Sequence, residues 1–105
     1  MREPTFWHLA GHNQTLLVAA LTLRLTGAGW QTAKVLRADG YQDRALRAIA
    51  NASKGRIVSG QRGYCLIEEA TVDEARHAAS WLRHQAQAML ARAADIERAM
   101  HRRVA

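Results

Sequence analysis

Four side chains along one short segment, Arg44, Arg47, Asn51 and Lys54, carry the donor types that read and hold a duplex. A guanidinium bonds both acceptors of guanine, an amide pairs with adenine, and an ammonium neutralises phosphate. At 100° per residue the four fall within an arc of about 80°, opposite Leu46, Ile49, Ala50 and Ser53. One face is core-like and the other is a row of donors. A solvated amphipathic helix without a partner presents the same stripe. Immediately after it, Lys54, Arg56, Gln61 and Arg62 surround a glycine-bracketed turn, where a projecting loop would meet backbone or minor groove. The charge is concentrated there: residues 42–64 hold five basic side chains and one acid, whereas residues 65–74 hold four acids and no base. If each of the five met a phosphate, affinity would fall with salt with a log-log slope of about 4 to 5 per protomer.

Donors act only if the chain aims them. From Asn13, an N-cap type, Leu16, Leu17, Ala20, Leu23 and Leu25 recur at helical intervals, and Gly27 with Gly29 ends the run. Thr32 to Asp39 reads as a second helix closed by Gly40, and residues 42–54 as a third that ends at Gly55. Residues 56–59 and 64–67 are β-branched or aromatic runs around Gly60-Gln61-Arg62-Gly63, the pattern of a hairpin spanning 56–67. Thr71-Val72-Asp73-Glu74 is a capping box, and no glycine or proline follows it. Three helices, a hairpin and a long last helix predict an α+β winged helix-turn-helix over residues 13–70, with an arm at 1–12 and a helical extension at 71–105.

Residues 31–36 and 43–47 resemble the helix-turn-helix of small bacterial and phage winged-helix DNA-binding proteins. The stretch 55–64 is similar to their wing, in which a glycine-basic-glycine-tyrosine turn recurs. The resemblance implies base reading by Arg44, Arg47 and Asn51, backbone contacts by Arg56, Gln61 and Arg62, and a role in phage or bacterial gene control or replication. Asp39 stands where such motifs often carry leucine before the turn, and Gln42 where they carry a serine or threonine cap.

In the last helix, Ala75, Ala79, Leu82, Ala86, Met89, Ala93, Ile96 and Met100 alternate steps of four and three, a heptad seam. Its length exceeds what a domain of this size needs for coverage. A homodimer through Leu82, Met89, Ile96 and Met100 is expected, its sense left open, and the alternative is docking of the first half beside helix one. Arg98, Arg102 and Arg103 add phosphate contacts or favour the helix dipole.

Catalysis has little sequence support. His8 with His12, and His77 with His84, could share helix faces, but no acid or thiol stands beside them at ligand spacing, so no metal and no cofactor is expected. Cys65, the one cysteine, reads as a small hydrophobe, and Asp73 and Glu74 as first-turn acids favoured by the helix dipole. No phosphate-cradling glycine motif and no nucleophile-base pair points to an enzyme or a small-molecule substrate.

Length and composition set the frame. One hundred and five residues suit one domain, and 49% apolar with 23% charged residues suits a folded chain. Fifteen Lys and Arg against nine Asp and Glu favour a polyanionic partner. A cysteine without a mate suits a reducing cytoplasm, and the apolar run 16–23 is too short to span a membrane. The expected function is therefore sequence-preferring binding of double-stranded DNA. The alternative is a protein-interaction module whose alanine-rich last helix docks a partner.

Overall fold

Three leucines spaced four apart decide which side of the first helix is inside. In the computed structural model, which describes residues 14–104, α1 (Gln14–Leu25) buries Leu17, Leu21 and Leu25, while Leu16 and Leu23 face outward. The helix is apolar nearly all round, so periodicity alone does not separate those two from the buried three. Thr26 ends it with its N–H donating to Thr22 O, and Gly27 and Gly29 follow at positive φ. The expected arm, with its Phe6-Trp7 pair, His8 and His12, lies outside the described residues.

The next two helices are short. α2 (Ala33–Ala38) starts at Thr32, whose hydroxyl accepts from Val35 N, and it buries Leu36. α3 (Asp43–Ala52) starts at Gln42 without a side-chain cap, and Leu46, Ile49 and Ala50 face the core. Two ion pairs flank the turn that enters α3. Arg37 of α2 grips both oxygens of Asp43 at 2.8 and 2.9 Å, and Arg24 of α1 binds Asp39 at 2.6 Å. Asp39 and Asp43 thus tie the turn between the two helices to its neighbours.

Strands β1 (Ile57–Gly60) and β2 (Gly63–Leu66) form an antiparallel hairpin closed by the pair Gln61-Arg62. The register opposes Ile57 to Leu66 and Ser59 to Tyr64. With period-2 alternation, Ile57, Tyr64 and Leu66 join the helical core, while Cys65 is buried on the other face. A third extended segment was not legible in the sequence: Gln31 and Tyr64 exchange two backbone bonds of 2.8 Å. The approach is close enough that a Cβ on Gly63, whose φ is +108°, would sit 2.1 Å from the Gln31 carbonyl oxygen.

Ile67, expected at the end of the second strand, instead opens a 3-10 turn (Ile67–Glu69) and is exposed. The Glu69 carboxylate there accepts from Gly27 N at 2.7 Å and Gly29 N at 3.0 Å, fastening the turn to the loop after α1. The capping box closes as the sequence implies, with Glu74 N donating to Thr71 Oγ1 and Thr71 N donating to Glu74 Oε1.

From there α4 (Val72–Val104) runs for 33 residues, about 50 Å. Its first turns dock on the hairpin face that carries Cys65, with Ala78 buried, and not beside α1. Beyond Leu82 the helix leaves the body. The radius of gyration, 17.2 Å, accordingly exceeds the roughly 13 Å of a compact chain of this length. Among the described residues, no helix is long and apolar enough to cross a membrane.

Candidate nucleic-acid interface

The buried row of α3 fixes where its polar row must go. With Leu46, Ile49 and Ala50 inward, Arg44, Arg47 and Asn51 are exposed on the opposite side. Lys54 continues that row just past the helix end, in the left-handed region at φ +55°, and is also exposed. Ser53 locks the exit: its hydroxyl donates to Ala50 O at 2.6 Å and accepts from Ile57 N at 3.0 Å. The backbone is therefore held on both sides of Lys54. Among the described residues, none of Arg44, Arg47, Lys54 and Arg56 has an acidic partner within ion-pair distance.

Arg47 occupies the middle of the arrangement. It borders a groove of about 530 Å³ between the end of α3, β1 and the first turns of α4, shared with Asn51 and Lys54. It also borders a second cleft, about 330 Å³, whose other walls include Gln61 and Arg62 at the hairpin tip and Trp81 of α4. Its guanidinium acts on Tyr64 beneath it. Burial raises the Tyr64 phenol above its ordinary value, Arg47 opposes that rise, and Asp43 adds to it.

The hairpin donors are placed differently. Arg62 reaches the Glu74 carboxylate at 2.7 Å, and the same oxygen accepts from the Trp30 indole N–H at 3.0 Å. Gln61 lies 3.5 Å from the His77 ring. The hairpin tip is therefore fastened to α4, although the Arg62 side chain keeps 70% of its surface exposed. Arg56 borders a different groove, together with Lys54 and with Thr22 and Leu23 of α1. The structure thus brings Arg44, Arg47, Asn51 and Lys54 together on one face. Arg62 and Gln61 sit across the cleft from Arg47, and Arg56 borders a separate groove with Lys54.

The acids that flank the site have structural work. The Gly27 and Gly29 N–H groups hold Glu69 below the usual carboxylate range. Glu74 is likewise held down, chiefly by the Thr71 N–H, with help from Trp30 and Arg62. Burial pushes the Cys65 thiol up, with Glu69 and Glu74 adding to the effect, and the residue is fully enclosed. Sequence reasoning missed Trp30 and Glu74 as the pair that seats the hairpin. The i to i+3 spacing of Thr71 and Glu74 signalled only the cap. Among the described residues no group of three His, Cys, Asp or Glu side chains could hold a metal ion.

Comparison of the chain with protein-family models, with curated proteins and with solved structures finds no match to any of the three.

Proposed function

We propose that this chain is a winged helix-turn-helix protein that binds double-stranded DNA, with α3 entering the major groove and the hairpin lying as a wing beside the backbone or minor groove. The reading rests on one observation: Arg44, Arg47, Asn51 and Lys54 are exposed together, while the alternate residues of α3 are locked in the core. Arg44, Arg47 and Asn51 are the base readers and Lys54 a phosphate contact. Arg56, Gln61 and Arg62 are backbone contacts of the wing, and Arg62 engages only by competing with Glu74. Specificity arises from contact and not from bond chemistry. A role in phage or bacterial transcription or replication is what the resemblance of residues 31–36, 43–47 and 55–64 to that family suggests, and the single cysteine, Cys65, favours the cytoplasm.

Gel shifts on duplexes selected from a random pool test this reading. Arg47→Ala weakens the selected site by about 1–3 kcal/mol and relaxes one base position. Arg62→Ala lowers affinity about equally on every sequence. The reverse pattern would move base reading to the hairpin. A second reading, a scaffold for a protein partner, draws on the exposed Met89, Leu90 and Ile96 of α4. It predicts no complex with random duplex even at low salt.

A further inference from the structure

The distal part of α4 carries a seam that the body does not cover. Leu82, Met89, Ile96 and Met100 are 46, 63, 65 and 56% exposed, and Ala79, Ala86 and Ala93 between them are exposed as well. Small and large residues alternate along this seam from Ala79 to Ile96. In a parallel in-register pair, each residue would face its own copy, so layers of two alanines would alternate with layers of two large side chains. No single interaxial distance packs both kinds of layer. Reversing one helix removes the conflict.

We propose that α4 pairs antiparallel with α4 of a second copy, centred between residues 87 and 88. In that register every large side chain meets an alanine: Leu82 faces Ala93, Met89 faces Ala86, Ile96 faces Ala79 and Met100 faces Ala75. The overlap runs from 75 to 100, about 38 Å.

Two further observations select this register. Arg76 comes within two residues, about 3 Å along the axis, of Glu97 of the second copy, twice by symmetry, and neither side chain has an ion-pair partner among the described residues. In addition, Ala75, Ala79 and Leu82 line the 530 Å³ groove beside β1, where Val58 and Ile67 supply apolar walls. Ile96 and Met100 of the second copy lie against the α4 wall of that groove, at Ala79 and Ala75. The tail Arg102-Arg103 then runs to the acidic entry of α4, at Glu68 and Asp73, which matches positive to negative charge.

The test uses the full chain. Sedimentation across a range of concentrations shows a dimer for the unaltered protein, and Met89→Asp, at a position exposed in the single chain, weakens it by about 100-fold or more with helix content of the body unchanged. Mixed Ala79→Cys and Ile96→Cys proteins form a disulfide-linked pair on oxidation, whereas neither variant links to itself. Cys65 is enclosed and does not compete. Arg76→Glu and Glu97→Arg each weaken the dimer about tenfold, and the double exchange restores it. A monomer at all concentrations overturns the proposal. So does self-linking of Ile96→Cys, which marks a parallel pair, or rescue of Glu97→Arg by Arg83→Glu, which marks a register one heptad away.

Discussion

Arg47 and Arg62 border the same cleft from opposite sides, yet their surroundings differ in kind. Arg47 rises from a helix whose other face is anchored by Leu46, Ile49 and Ala50, and no carboxylate is within ion-pair reach of it among the described residues. Arg62 sits on a two-residue turn and is held by Glu74, which also binds Trp30 and caps α4. A cation with no internal partner keeps its charge for an external one. A cation already neutralised within the fold must first give up that bond, so it adds less to binding than its sequence position suggests.

Gly63 gives the largest way to break this contrast. Gly63→Ala drives a methyl into the Gln31 carbonyl at a φ that disfavours any side chain. It should lose about 3 kcal/mol or more in urea unfolding, through strain plus the paired bonds to Gln31. With the hairpin unseated, Arg62 would no longer be distinguishable from Arg47. An unchanged midpoint would mean that the bridge to Gln31 is not formed in solution.

Lys54→Gly sharpens the comparison from the other side. It relieves a left-handed lysine and should stabilise the fold by about 0.5–1 kcal/mol. It should also lower the salt slope of duplex binding by about 1. Thermal melts and salt titrations measured together separate the two effects.

Glu74→Gln should release Arg62. Duplex affinity at low salt then rises and the slope steepens by about 1, while the melting temperature falls through the weakened cap and the lost ion pair. No change in slope would show that Arg62 never reaches phosphate.

The smallest effect is on the acid side. Glu69 and Glu74 have lowered values in the fold, so their stabilisation is complete above the unfolded carboxylate value, near about 4.3, and is lost as pH falls through the lower folded values. Melting temperature should therefore decline below about pH 4. Glu69→Gln should flatten that decline.

Much of the architecture was legible because it rests on local rules. The capping box, the glycine stops and the hairpin turn each act within a few residues, and the structure places them within one or two positions of expectation. The polar row of α3 was legible for the same reason, since a period of 3.6 residues sorts one face from the other. What the sequence hid is non-local. Nothing in Gln31 announces its bridge to Tyr64, and nothing in Glu74 announces Trp30 and Arg62, which lie 44 and 12 residues away in the chain. Leu16 and Leu23 could not be told from the buried leucines because α1 is apolar on most sides, so periodicity does not choose among them. Which leucines are inside depends on where α3 and the hairpin press against it.

Because α4 runs without glycine or proline from Val72 to Val104, it transmits rotation as a stiff shaft does. Adding one residue after Arg83 would swing everything beyond it by about 100° about the axis, and adding seven would bring it nearly back into phase. The bearing of the distal seam relative to the donor face is thus set by a residue count, and a chain lengthened there by two would carry that seam about 200° round, to the far side of the shaft, with every contact in the body left intact.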